Sequence, residues 1–225
     1  DPDYSFVFNS YYETIGARVI RTDRGNLSRP TVDEVYKYRE HVDQAMEDLL
    51  KNDEQAEEPK EIIELGLNHE EQHQELLFTD IKYILGHNPL FPAYKENEQE
   101  EKASFNISPR EFIKMEEGLY EIGHSGSGFC YDNELGRHKR HLGNYSISAQ
   151  LVNNLEYLEF IASGAYKDFR LWLADAWEWV KTNQITAPLY WHFIDDQWYN
   201  YTLEGLKPID PTAPVCHVSY YEAHA

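Results

Sequence analysis

The sequence predicts an α+β protein, helical in its first part and built from short strands, loops and brief helices in its second. Two observations carry this expectation. Apolar residues recur at helical spacing through two long segments before residue 90, each with recognisable start or stop signals. Past a run with no apolar residue at 95–102 (KENEQEEK), all five tryptophans (Trp172, Trp177, Trp179, Trp191 and Trp198) and a succession of Gly- and Tyr-containing turns replace that pattern. The acidic run reads as a solvated linker. A boundary near residue 104 then divides the chain into a helical domain, 1–104, and an α+β domain, 105–225.

The elements follow in order. Segment 4–15 is a short helix. At Pro30-Thr31-Val32-Asp33-Glu34 the Thr31 side chain can cap a helix while Glu34 bonds back to the Thr31 amide. Val32, Val35, Val42, Met46 and Leu49 then keep helical spacing to about Leu50. A second long helix covers 59–85: Pro59 suits its first turn, Gly86 the position after its end, and Asn88-Pro89 enforces the stop. Amphipathic helices of this length, joined by loops, suggest an antiparallel bundle. In the second half, short apolar runs such as 118–123 alternate with turn signals such as Ser125-Gly126-Ser127-Gly128, 151–161 and 171–180 read as short helices, and the rest as short strands and irregular loops.

Composition narrows the function classes. Forty Asp and Glu against 20 Lys and Arg give a formal charge of −20, which disfavours nucleic acid and anionic membrane surfaces as partners. No run of apolar residues is long enough to span a bilayer. The two cysteines, Cys130 and Cys216, cannot frame a disulfide scaffold and suit a reducing, cytoplasmic setting as small buried hydrophobes.

The sharpest chemical signal is His69-Glu70-Glu71-Gln72-His73. Histidines at i and i+4 lie one turn apart on one helix face, where both imidazoles can reach one metal ion. Leu76, Asp80 and Tyr83 continue that stripe, so the face is expected to point into the bundle; the alternative is a pair of solvated or core-satisfied histidines. A third ligand is needed. His41 is a candidate, or else a partly buried structural histidine, and His87 suits the helix C-terminus. The pentapeptide also fits the HExxH zinc-protease pattern with Glu70 as general base. However, Leu76 and Thr79 stand where the extended protease motif needs Gly and His, and a glutamate ligand such as Glu98 would come from the linker. Arg18, Arg21, Arg24 and Arg29 cluster around Gly25 in an otherwise acidic chain. They can clamp the carboxylate of a small substrate or pair with surface carboxylates. Asp132-Asn133-Glu134 reads as a turn with local hydrogen bonds rather than a calcium loop.

The runs NSYYE at 9–13, LSRPTV at 27–32, HEEQHQELL at 69–77 and NPLFPAY at 88–94 stand in order along the first half. Gly128-Phe129, Asp132-Asn133-Glu134 with His138, LVNN at 151–154 with Glu156-Tyr157-Leu158, APLYW at 187–191 and PVCHVSYYEA at 214–223 follow in the second. Together they resemble the ergothioneine-biosynthesis sulfoxide synthase family. The resemblance implies a DinB-like helical bundle followed by part of a C-type-lectin-like, formylglycine-generating-enzyme-like α+β domain. It implies non-haem Fe(II) held by three histidines, with dioxygen and a thiol (cysteine or γ-glutamylcysteine) bound at the iron. The chemistry it implies is a C–S bond to the imidazole of Nα-trimethylhistidine, giving a sulfoxide. It places two iron ligands at His69 and His73, a contact to the histidine-derived substrate at Gln72, and the thiol-substrate clamp at Arg21 and Arg24.

The family's first iron histidine lies before the 9–13 run and its catalytic tyrosine beyond residue 225. The chain therefore reads as a fragment with two of three ligands, expected to bind iron weakly and not to turn over alone. Ovothiol-precursor and selenoneine synthases share the architecture. A DinB-like thiol transferase using zinc or nickel, and a lectin-like protein without catalysis, are the other readings.

Overall fold

The computed structural model describes residues 4–9, 16, 17, 19–51, 59–95 and 110–225, and it mixes helix and antiparallel sheet, as the sequence predicts. The chain forms two units, Asp1–Gly66 and Leu67–Ala225. The linker from 96 onward, with the boundary expected near 104, lies outside the described residues.

In the first unit, α1 spans Tyr4–Phe8, shorter than the 4–15 expected. Asn9 has left the helix, and its carbonyl accepts the Val19 amide at 3.1 Å; residues 10–15 lie outside the described set. Arg21–Asn26 forms a 3-10 helix. Helix α2, Val32–Leu50, starts with the predicted reciprocal cap: the Thr31 amide donates to Glu34 Oε2 at 2.8 Å and the Glu34 amide to Thr31 Oγ1 at 3.3 Å. The Tyr38 ring of α2 stacks on Tyr4 at 4.5 Å.

Helix α3, Lys60–Gly86, begins in the first unit and ends in the second. Its stop is the predicted one, displaced by a residue. The amides of His87 and Asn88 bond back to the Tyr83 and Leu85 carbonyls at 3.2 and 3.1 Å, and Asn88 Oδ1 takes the Leu90 amide at 2.9 Å. Helix α2 buries no residue and α3 only Gly86, so among the described residues these helices carry no packed core of their own.

The second unit holds the core. Strands β1 (Phe112–Met115) and β4 (Tyr145–Ser148) pair antiparallel, as do β2 (Gly118–Ile122) and β3 (His138–Leu142). Strands β5 (Trp191–Ile194), β6 (Gln197–Thr202) and β7 (Gly205–Pro208) form an antiparallel meander. Helix α4, Asn154–Ala162, starts three residues later than expected because Asn153 caps it, its Oδ1 accepting the Glu156 amide at 2.9 Å. Helix α5, Ala174–Asn183, follows the 3-10 turn Phe169–Leu171, and α6 is Tyr220–His224.

Tyr157, Tyr166, Trp172, Ala176, Val180 and Trp191 make the buried cluster, so part of the tryptophan and tyrosine content is core, as expected. The polar tips are satisfied: Trp172 Nε1 donates to the Ala165 carbonyl at 2.9 Å, and Tyr166 donates to Glu222 Oε1 at 2.6 Å with the Tyr157 hydroxyl 3.1 Å away. Burial pushes the Tyr157 hydroxyl up to about 12.

The last turns of α3 belong to this unit because they pack on the meander. Tyr201, whose side chain is fully buried, lies against Gly86. Its hydroxyl donates to the Pro92 carbonyl at 2.7 Å, and the Tyr94 and Lys95 amides both reach the Leu203 carbonyl, at 2.8 and 3.1 Å. A Cβ at position 86 would sit 2.8 Å from the Tyr201 ring and 3.0 Å from that of Tyr190. Gly86→Ala is therefore expected to destabilise the protein by about 1–2 kcal/mol despite alanine's higher helix propensity, because overpacking outweighs the gain. A lowered urea midpoint at unchanged slope checks it.

Candidate metal centre

His69 and His73 lie on α3 as the sequence places them. Their rings meet edge to face, centroids 4.5 Å apart and planes at 71°, so the side chains converge. His69 is half-buried and His73 exposed.

The direction of this face differs from the expectation. At about 100° per residue, His69, His73, Leu76, Asp80 and Tyr83 share one side of α3, while Phe78, Ile81, Lys82, Leu85 and Gly86 cluster on the opposite side. It is this opposite side that docks: Ile81, Lys82 and Leu85 are half-buried, Gly86 is buried, and Phe78 meets Tyr94 edge to face at 5.8 Å. Leu76 is 56% exposed and Tyr83 53%. The stripe read as inward-facing is therefore the outer face of the docked segment. Periodicity located both faces but could not say which one the meander covers.

Two imidazoles in i, i+4 register suit a borderline divalent cation and leave its remaining positions to other ligands. Among the described residues, no three His, Cys, Asp or Glu side chains converge on a common point. His41 is exposed on α2 rather than partly buried. His87 takes the role expected for it, its Nδ1 lying 2.7 Å from the Tyr83 carbonyl near the helix end. Gln72 is exposed on α3, on the edge of the histidine face. Arg21 and Arg24 lie in the 3-10 helix Arg21–Asn26, but their side chains, like Arg18 and Glu98, are outside the described residues.

Asp132, Asn133 and Glu134 do form a local turn: Asp132 Oδ1 accepts the Asn133 amide and Glu134 Oε2 the Tyr131 amide, both at 2.9 Å. The cysteines depart from expectation. Cys216 is exposed and Cys130 half-buried, so neither is a buried core residue.

The docking face carries titratable groups that sequence reasoning did not single out. Lys82 Nζ lies 2.7 Å from His217 Nε2 and 4.9 Å from the Tyr190 ring centroid. His217 meets Tyr190 edge to face at 4.8 Å, and Phe91 packs on His192 at 4.7 Å. Partial burial lowers the pKa of Lys82 and of both imidazoles; Lys82 lowers His217 further, and His87 lowers His192 further. Lys82 and His217 are 135 positions apart in the chain, and no spacing rule connects them. Beside His217 a cleft of about 570 Å³ opens, walled by Trp179, Pro188, Tyr190, Val218 and Glu222 among others.

Compared with known proteins, the chain is similar to a hercynine oxygenase of Mycolicibacterium thermoresistibile, with 32% identity over 98 residues. The match covers 43% of this chain and 21% of that protein, so it spans about a fifth of the relative's length. No protein-family model matches the chain. Among the described residues, no helix is long and apolar enough to cross a membrane.

Because the folded pKa of His192 is lowered from its ordinary 6.5, the unfolded chain binds more protons below that pH. The stability contributed by the neutral ring is complete above 6.5 and is lost as the pH falls towards the lowered folded value. His192 Nε2 is buried and has no hydrogen-bond partner among the described residues. His192→Phe keeps a ring against Phe91 and is expected to reduce the loss of stability between about pH 7.5 and about pH 5.5. Urea unfolding at the two pH values reads the difference.

Proposed function

We propose that this chain contributes the iron-binding helix of an O2-dependent sulfoxide synthase of the hercynine oxygenase kind. In this reading a thiol (cysteine or γ-glutamylcysteine) and the imidazole C–H of trimethylhistidine are joined by a C–S bond. Dioxygen is the four-electron oxidant: one oxygen atom ends on sulfur as the sulfoxide, and the other leaves as water with the hydrogens of the S–H and C–H groups.

The observation that carries the reading is the converging pair His69 and His73, whose rings lie 4.5 Å apart on one helix face. The 32% identity to a hercynine oxygenase supports it. Bound Fe(II) would supply the redox chemistry with dioxygen that neither substrate has alone. The chain's own part is to hold and orient. His69 and His73 present neutral nitrogens to the ion, a donor set that leaves positions open for the sulfur and for dioxygen. Gln72, on the edge of the same face, offers an amide to the histidine-derived substrate. Arg21 and Arg24 offer planar forks to the carboxylate of the thiol substrate.

The test loads the whole protein that carries this chain with Fe(II) without oxygen, then gives it thiol, trimethylhistidine and air. Mass spectrometry is expected to show the sulfoxide, and metal analysis to show iron. Since even outer partners of metal ligands are worth about 10–100-fold in affinity, His69→Ala and His73→Ala are each expected to lower iron affinity by at least about tenfold. Retention of zinc in place of iron, or iron content unchanged in both variants, would refute the proposal.

A further inference from the structure

Lys82 and His217 meet where α3 docks, and their chemistry assigns the contact a direction. A lysine ammonium has donors only, so His217 Nε2, 2.7 Å away, is the acceptor and the ring proton sits on Nδ1. The ammonium keeps the proton because an amine is far more basic than an imidazole. Tyr190 closes the arrangement, its ring lying under Lys82 Nζ at 4.9 Å and against His217 at 4.8 Å.

Both partners of Lys82 are held in an unusual backbone state. Tyr190 has φ 73° and His217 φ 62°, the left-handed region that non-glycine residues seldom occupy. The two segments are tied together, the Leu189 amide donating to the His217 carbonyl at 3.2 Å. Such conformations persist where the surroundings over-determine them, and they gather at functional contacts.

We propose that Lys82 and His217 are positioning residues: together they form a clasp that fixes the rotational setting of α3 on the meander, and the clasp opens when His217 takes up a proton. A protonated imidazole has no lone pair for the ammonium and adds a second positive charge beside it. Among the described residues, Tyr190, from the turn before β5, also faces His217, and Cys216 precedes it in the chain. Glu222 of α6 lines the same cleft, with its carboxylate oxygens taken by the Tyr166 hydroxyl and the Ser219 amide, at 2.6 and 2.7 Å. The setting of α3 at Lys82 is also its setting at His69 and His73, because one helix carries both. The consequence for metal binding rests on the proposed function; the clasp itself does not.

A double-mutant cycle with Lys82→Met and His217→Phe, measured by urea unfolding, tests the clasp. At about pH 7.5 the two substitutions are expected to be coupled by about tenfold in the unfolding equilibrium constant, as for hydrogen bonds to charged groups. At about pH 5 the coupling is expected to be smaller. His217→Gln, which keeps an acceptor that does not titrate, is expected to retain its coupling to Lys82 at both pH values. Additive effects at the higher pH, or equal coupling at both, overturn the proposal.

Should a variant fail to fold, nitrogen-15 shifts of His217 in the unaltered protein decide. An unprotonated Nε2 that titrates below the ordinary histidine value is expected, and an unprotonated Nδ1 overturns it. Where the unaltered chain holds Fe(II), Lys82→Met is expected to weaken that binding several-fold while His69 and His73 remain in place. Absence of iron from the whole protein that carries this chain refutes the proposed function, while the cycle still decides the clasp.

Discussion

The close approach of Gly86 to Tyr190 and Tyr201 is the contact on which the placement of the candidate site depends. A side chain at position 86 would have to push these rings aside, since they stand 2.8–3.0 Å from where its Cβ would be. With glycine there, the end of α3 reaches a fully buried tyrosine, and the segment after it is tied down by the Tyr201–Pro92 and Leu203 hydrogen bonds. The helix end is therefore fixed by the meander. Its side facing the meander is set by Ile81, Lys82, Leu85 and Gly86. The histidines, half a turn round, are set facing away from it by the same contact.

What the sequence made legible follows from which interactions are local. The Thr31–Glu34 box, the Asn88 stop after α3, the histidine pair and the Asp132–Glu134 turn are each decided within about four residues, and each was readable. The side of α3 that docks was not readable, because both of its sides carry apolar residues. Leu76 and Tyr83 stand on one, Phe78, Ile81 and Leu85 on the other, and the choice rests on a tyrosine more than a hundred positions away. Lys82 and His217 were invisible for the same reason: a lysine in an amphipathic helix looks like a solvated charge until a long-range partner desolvates it. Cys216 failed differently. Cysteine's average preference for burial does not hold at this exposed position.

The buried Tyr157–Tyr166–Glu222 chain bears on the site through α6. Glu222 is a carboxylate only 4% exposed, yet it accepts from Tyr166 and from the Ser219 amide that starts α6. A buried carboxylate without such donors would be costly, so these bonds must be kept together. They hold α6 against the aromatic core. His217, two residues before Ser219, is thereby carried to its place against Tyr190 in a backbone conformation it would not choose alone.

The choice of partner for Lys82 is informative in a chain with 40 acidic side chains against 20 basic ones. A carboxylate would hold an ammonium until the pH approached about 4, and would do so more strongly at this partly buried position. An imidazole holds it only while neutral, so the contact weakens in the range where other surface ion pairs of the protein are still intact. His192, its pKa lowered by burial, stands near the same docked turn and adds positive charge as the pH falls. The anchorage of α3 thus rests on aromatic packing, which is indifferent to pH, joined to a set of bases that is not. A helix meant only to be held would not need the second component.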